Sequence, residues 1–173
     1  MKKIMMIAAL MLMSVGAFAQ GKFAIGANAG VALYGNEYNP FGIGAKLQYE
    51  FVENFRAEAA YNYWFAKKTD ILGTEYKSGV MDIDLTLQYL IPVADKVKVY
   101  PLAGANLGIT HGDILSEQQS MFGFQAGAGI EYYFTDNVKA NLDAKYQYNK
   151  KTKDGIELKY DGPVIQVGIA YVF

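Results

Sequence analysis

Two acidic residues, Asp82 and Asp84, form the carboxylate pair in this sequence whose spacing best suits chemistry. Residues i and i+2 of an extended strand point to the same side, so the two carboxylates would share one face of a sheet. Such a pair can serve acid–base catalysis when its surroundings keep one group protonated and the other ionised. Lysine and arginine side chains on neighbouring strands of the same face offer these carboxylates ion-pair partners instead. We therefore interpret them as members of a charge network and predict no catalytic residue.

The single histidine, His111, begins a polar segment that also holds Asp113, Ser116 and Ser120. A histidine, a serine and an acid are the parts of a hydrolytic triad, so a lipid-modifying enzyme is one interpretation of this segment. Serine, aspartate and glycine are also the ordinary residues of turns, and here they lie close together in the chain. We favour a surface loop, predict that the protein is not an enzyme, and keep the lipid-modifying enzyme as the lower alternative.

Motifs for metals and cofactors are scarce. The chain has no cysteine and one histidine, which excludes thiolate and polyhistidine metal sites and a disulfide framework. Gly127-Ala128-Gly129 lacks the third glycine of a dinucleotide-binding motif, and no helix is predicted after it. The 16 basic and 17 acidic residues give no overall positive charge to attract nucleic acid. The sequence thus predicts no cofactor, no metal site and no nucleic-acid partner.

Residues 1–19 have the three parts of a cleaved secretory signal peptide. Lys2 and Lys3 precede the apolar run Ile4–Met13, and Ala17-Phe18-Ala19 matches a cleavage site. Cleavage would remove two lysines and leave 14 basic against 17 acidic residues, a formal net charge of −3. We therefore expect a single mature domain comprising residues 20–173.

Beyond residue 20, apolar and polar residues alternate with a period of two, which is typical of strands. Within 41–51, the odd positions are all apolar or aromatic, whereas the even positions hold glycine, lysine, glutamine and glutamate. The same pattern predicts eight strands, each about long enough to cross a bilayer when tilted. They are 22–34, 41–51, 55–65, 77–91, 97–110, 121–134, 138–148 and 162–173.

The connections between these strands alternate in length. The short ones are 52–54, 92–96 and 135–137, and the longer polar ones are 35–40, 66–76, 111–120 and 149–161. Outer-membrane barrels combine short periplasmic turns with longer external loops. The sequence therefore predicts an all-β fold, an eight-stranded antiparallel up-and-down transmembrane β-barrel. Its N-terminus and short turns would be periplasmic, and its long loops would be extracellular.

The two faces of the predicted strands differ in bulk. One face carries large apolar residues, and the other carries 10 of the 18 glycines. Side chains fill the narrow interior of an eight-stranded barrel, so we expect the glycine-rich face to point inwards. Aromatic residues such as Phe55 and Phe41 lie at the two ends of the apolar face, as in the girdles at membrane interfaces. A soluble lipocalin-like barrel is the alternative. Arginine should cost more at outward Leu85 than at inward Gln88.

The inward face carries five basic and six acidic residues, whose charges nearly balance. Buried charges are tolerated when they are paired, so we predict a filled interior of crossed salt bridges. A narrow, porin-like ion-conducting channel is the alternative. The residues of this lumen charge network are Lys46, Glu50, Arg56, Glu58, Asp82, Asp84, Lys98, Glu131, Lys139, Asp143 and Lys145.

Two prolines, Pro101 and Pro163, stand inside predicted strands. Proline cannot donate a ladder hydrogen bond, so each position implies a bulge or a locally missing bond. Upstream of Pro163 the apolar phase changes to even-numbered residues. A bulge would shift the alternation in this way, so we predict one near Asp161-Gly162, with the strand continuing beyond the membrane.

Three segments, VYPLAGANLG at 99–108, GFQAGAGIEYYFTDN at 123–137 and GIAYVF at 168–173, resemble a known family. It is the family of small outer-membrane β-barrel proteins of Gram-negative bacteria, often labelled the porin family, which includes the OmpA membrane domain and OmpX. Tyr171 and Phe173 resemble the C-terminal signal that the barrel-assembly machinery reads.

The resemblance covers the whole mature chain and implies a monomer of the outer membrane with no catalytic residues. The roles it implies are membrane integrity, surface interaction and, in some members, weak pores. The implied partners are outer-membrane lipid and lipopolysaccharide, the barrel-assembly machinery, and a host or surface ligand bound by the loops. Lysines in or beside two of the long connections would suit an anionic lipid surface; they are Lys67, Lys68, Lys77, Lys150, Lys151, Lys153 and Lys159.

Overall fold

The computed structural model describes residues 21–34, 39–65, 69–71, 74–76, 78–112, 119–153 and 156–173. Side chains are described for 21–34, 39–65, 79–109, 120–149 and 161–173. The predicted signal peptide, residues 1–19, lies outside the described residues. No helix in the described part of the chain is long and apolar enough to cross a membrane.

The predicted fold is confirmed: eight antiparallel strands close into a barrel. Each strand pairs with its neighbours in the chain, and β1 pairs with β11 to close the ring. A further short strand, β7, continues β6 beyond Leu90, and β4 and β5 form a separate hairpin. The strands are β1 Lys22–Ala32, β2 Phe41–Val52, β3 Phe55–Trp64, β4 Thr69–Ile71, β5 Thr74–Tyr76, β6 Ser78–Tyr89, β7 Ile91–Ala94, β8 Val97–Gly112, β9 Gln119–Tyr133, β10 Val138–Lys153 and β11 Ile156–Val172.

One end of the barrel, here called the short-turn end, holds the tight turns and the C-terminus. Its backbone groups bond across strands: Leu90 N donates to Asn54 O at 2.7 Å, and Phe173 N donates to Phe23 O at 2.8 Å. Asn54 has a φ of 65°, a left-handed conformation that asparagine tolerates better than most residues. The opposite end, here called the loop end, carries the longer connections.

The two prolines affect the barrel less than predicted. Pairing of β6 with β8 stops at Gln88↔Leu102, next to Pro101, which agrees with a locally missing bond. In contrast, β10 and β11 pair without a shift of register from Val138↔Tyr171 to Lys153↔Ile156. The predicted bulge near Asp161-Gly162 is therefore wrong. The hairpin does continue past the predicted strand ends, because a regular two-stranded ribbon satisfies its backbone bonds without a bulge.

The two faces of the barrel have the predicted polarity. Outward Leu87 and Phe124 expose 62% and 63% of their surface, whereas inward Arg56 and Asp84 expose 2% and 1%. The outer surface is thus a continuous apolar coat, far larger than the patches that soluble monomers expose. Aromatic rings cluster at both of its ends, with Phe55 and Tyr89 4.9 Å apart at the short-turn end and Phe41 stacked on Phe65 at the loop end.

Candidate functional site in the barrel interior

The interior near the short-turn end is built around one buried carboxylate, Glu131. Its Oε2 atom lies 2.6 Å from Arg56 Nη1 and 3.0 Å from Lys139 Nζ. Arg56 also donates from Nε to Gln88 Oε1 at 2.6 Å, and its guanidinium lies 4.9 Å from the centre of the Tyr100 ring. Two cations thus share one anion, and an aromatic face and an amide stabilise the surplus positive charge.

The middle of the interior is organised around Lys46. Its Nζ donates to Asn141 Oδ1 at 2.6 Å and lies 3.9 Å from Glu58 Oε2. Asn141 in turn donates to Asp143 at 2.6 Å, and the Tyr100 hydroxyl donates to the same carboxylate. Neutral donors therefore satisfy Asp143, while the lysine balances Glu58.

The interior near the loop end holds the two aspartates that suggested a catalytic pair. Asp84 Oδ2 lies 2.8 Å from Lys145 Nζ and accepts a bond from Asn62 at 3.0 Å. Asp82 accepts instead from the indole Nε1 of Trp64 at 2.7 Å. Both carboxylates are almost completely buried and hydrogen-bonded, so they do not form a catalytic pair that is open to a substrate.

These contacts cross the barrel rather than follow its wall. In the barrel order, Arg56 on β3 and Glu131 on β9 are three strands apart, as are Lys46 on β2 and Asn141 on β10. Apolar clusters add to the filling. Ala32, Trp64 and Val164 pack together near the loop end, and Leu90, Tyr100 and Leu102 pack near the short-turn end. Side chains therefore brace opposite walls along the length of the interior.

The other residues of the predicted charge network lie at the edge of this arrangement. Glu50 and Lys98 are partly exposed, and Lys98 Nζ lies 5.4 Å from the centre of the Tyr133 ring. Tyr171 and Phe173 are exposed on the outer face with their rings 5.1 Å apart. Their role as an assembly signal stays a prediction.

Aromatic and amide members of the interior were not among the residues predicted from the sequence. Trp64 and Tyr100 each expose 1% of their surface and donate hydrogen bonds to acidic residues. Their even positions, in phase with the inward glycines, could have identified them. Buried amides such as Asn62 and Gln48 have the same parity, and they carry much of the hydrogen bonding between charged groups.

The segment around His111 differs from its prediction as a loop. The backbone of His111 belongs to β8 and pairs with Gly79 of β6, because the ladder extends beyond the predicted strand end. Its side chain, together with Asp113 and Ser116, lies outside the described residues, and Ser120 is exposed on β9. No cluster of three or more His, Cys, Asp or Glu side chains suited to a metal occurs among the residues that the structure describes.

Known proteins resemble this chain in sequence. The 25 kDa outer-membrane immunogenic protein of Brucella abortus biovar 1 (strain 9-941) is 29% identical over 140 aligned positions. The match covers 73% of this chain and 60% of the relative, so the chain spans about three-fifths of the relative's length. A protein of the same name from Brucella canis is 28% identical over 138 positions, covering 72% of this chain and 59% of that protein.

Solved structures give the same fold at low identity. Neisserial surface protein A superposes with a TM-score of 0.71 at 17% identity, covering 88% of this chain and 97% of that protein. The outer membrane protein OprG of Pseudomonas aeruginosa gives 0.65 at 17% identity, covering 88% and 96%. The family model described as "Outer membrane protein beta-barrel domain" matches residues 5–173, and the chain therefore belongs to the outer-membrane β-barrel protein family.

Proposed function

We propose that this protein is a non-enzymatic outer-membrane barrel with a closed interior, which stabilises the membrane and contacts its surroundings through its loops. The observation that carries the proposal is the cross-wall bracing, in which charged side chains reach charged or amide partners on distant strands at 2.6–2.8 Å. A conducting pore needs a continuous aqueous path. Here Arg56, Glu131 and Tyr100 instead occupy the interior near the short-turn end.

A closed interior also accounts for the balance of charge. Burying an unpaired ion costs several kcal/mol, whereas paired and hydrogen-bonded ions are tolerated. Arg56 and Lys139 share Glu131, and Lys145 pairs with Asp84. Ion pairs of this kind make the interior a rigid support for the wall, and they leave the loops as the variable part of the molecule.

The conductance of a planar bilayer tests the closed interior. We expect the purified protein to give no stable channel, because the cross-wall bonds at Arg56 and Lys46 block the path. A large trimeric porin inserted under the same conditions serves as the positive control. A stable conductance that changes in Asp82→Ala but not in the exposed-turn variant Glu53→Ala would contradict the proposal and favour the narrow channel.

The loops are proposed to face the outside of the cell. Short turns at one end and longer connections at the other match the usual arrangement of periplasmic turns and external loops. The matched Brucella proteins are named immunogenic outer-membrane proteins, which supports exposure of some of their surface. Anionic lipopolysaccharide is the proposed partner of the lysines at the outer end of the β10–β11 hairpin, Lys150, Lys151, Lys153 and Lys159. A host or surface ligand is a further candidate.

Single-cysteine labelling tests this orientation, since the natural chain has no cysteine. We expect a bulky, impermeant maleimide to label Asp154→Cys, between β10 and β11, in intact cells. Asp136→Cys, in the tight turn between β9 and β10, should react only after the outer membrane is permeabilised. The reverse pattern would place the long connections in the periplasm and overturn the proposed surface role.

A further inference from the structure

Four buried amide side chains near the loop end have polar atoms without hydrogen-bond partners; this amide cluster is Asn106, Gln125, Gln147 and Asn149. Each side chain is at least nine-tenths buried, and Asn106 and Gln125 expose only 2% and 3%. Both polar atoms of Asn106 and both of Gln125 are unpartnered, as is Oδ1 of Asn149. Buried polar atoms are nearly always satisfied by protein, water or ions, so this cluster points to a bound species.

The register of the strands places these groups side by side. Asp84 of β6, Asn106 of β8, Gly123 of β9 and Asn149 of β10 occupy one continuous cross-strand row. Gln125 lies two residues along β9 from Gly123, opposite Gln147. The Oδ1 atom of Asp84 is also unpartnered, because its ion pair with Lys145 uses Oδ2.

Two of these oxygen atoms lie beside Gly123. The position that a Cβ atom would take at Gly123 is within 2.5 Å of both Oδ1 of Asn106 and Oδ1 of Asn149, so the two acceptors lie close together next to this glycine. At the other end of the amide, Asn149 Nδ2 lies 3.4 Å from the position of a Cβ at Gly108, and Asp82 Oδ1 lies 3.1 Å from the same position.

Two carboxyl groups, Asp82 and Asp84, share this part of the interior with one cation, Lys145, which pairs with Asp84 through Oδ2. Asp82 accepts a hydrogen bond from a neutral donor, the indole of Trp64. Carboxylate and amide oxygens are the ligands that hard cations prefer. We propose that a small hard cation, Na⁺ or Ca²⁺, binds inside the barrel near the loop end, held by Asp84, Asn106 and Asn149.

A cation can bind at this site without an open channel through the barrel, because the layer of Arg56 and Glu131 lies between the site and the short-turn end. The proposal departs from the sequence-based prediction of no metal site, which rested on the scarcity of histidine and cysteine and on the lack of a known metal-binding motif. The unpartnered amide donors of Asn106 and Gln125 would bond to water around the ion. The cation would thus link three strands of the wall, β6, β8 and β10, and stabilise the folded barrel.

Urea unfolding of the full-length folded barrel at constant ionic strength tests the site. The fluorescence of Trp64, the single tryptophan, reports on unfolding near the site, because its indole bonds to Asp82. Replacing choline chloride with NaCl or CaCl₂ should raise the urea midpoint and saturate with concentration, since a ligand of the native state stabilises it. The two salts measured separately decide which ion binds more tightly.

Three variants locate the effect. Asn106→Ala should weaken the apparent affinity about tenfold or more, and Asn106→Asp should strengthen it by adding a charge. Asn141→Ala is the matched control, because its amide already bonds to Lys46 and Asp143 and it should keep the salt response. If Asn106→Ala does not fold, two other measurements test the site. They are the affinity of the Asn106→Asp variant, which should rise, and the native Trp64 fluorescence, which should change saturably with the salt.

Two outcomes would overturn the proposal. An equal midpoint in choline, sodium and calcium salts would mean that water alone satisfies the amide cluster. A salt-dependent shift that persists unchanged in Asn106→Ala would place the ion on the surface loops instead.

Discussion

Replacing Glu131 with glutamine is expected to lower the free energy of unfolding by about 3–5 kcal/mol, the usual cost of breaking a buried ion pair. The Glu131 side chain is completely buried and is bound by Arg56 at 2.6 Å and by Lys139 at 3.0 Å. Glutamine keeps the shape but removes the charge. Arg56 and Lys139 would then lose the carboxylate that they share. Urea unfolding of the barrel refolded in lipid vesicles measures the loss.

The matched control is Glu53→Gln in the exposed turn between β2 and β3, which should change stability by less than about 0.5 kcal/mol. A double-mutant cycle with Arg56→Gln separates the pairwise contribution from the rest of the network. A loss below about 1 kcal/mol at Glu131, as for exposed ion pairs, would mean that water reaches this layer and that the interior is not closed.

Replacing Leu85 with arginine should lower the free energy of unfolding by about 2–4 kcal/mol in a bilayer. Leu85 lies within β6 on the outer face, exposes 60% of its surface, and has outward Ile83 and Leu87 on either side. A guanidinium there would face hydrocarbon near the middle of the membrane, where no water solvates it. Equilibrium unfolding in vesicles of fixed acyl-chain length measures the cost.

The control for this prediction is Tyr89→Arg, on the same strand and the same face but in the aromatic belt of the short-turn end. Arginine near the interface should cost only about 0–1 kcal/mol, because its head group reaches water. Equal costs at Leu85 and Tyr89 would show that depth in the membrane does not govern the cost, and would contradict the placement of Leu85 near the middle of the bilayer.

Much of the fold could be predicted from the sequence because the side-chain period of a strand is fixed at two. The alternation in Phe41–Val52 assigns Leu47 to the lipid and Lys46 to the interior without knowledge of any other strand. Local turn residues separate one strand from the next. The narrow interior of an eight-stranded barrel then explains why the inward face carries glycine, and the observed burial agrees with this parity.

Strand ends and irregularities were predicted less well. The phase change before Pro163 suggested a bulge, yet β10 and β11 pair in unbroken register to Lys153↔Ile156. Beyond the barrel, neither face of the two-stranded ribbon contacts lipid or a packed interior. Alternation therefore no longer reports a face there, and the hydrogen-bond ladder alone sets the register.

The sequence by itself determined the barrel, its two faces and the residues that point inwards. Only the tertiary structure decided which inward residues meet, because those contacts join strands far apart in the chain. Gln88 illustrates the difference. Its inward position suggested that arginine would cost less there than at Leu85, but Gln88 is 2% exposed and accepts a bond from Arg56, so a second guanidinium would face the first. Likewise, the amide oxygens of Asn106 and Asn149 converge only because the glycine of an intervening strand leaves space between them.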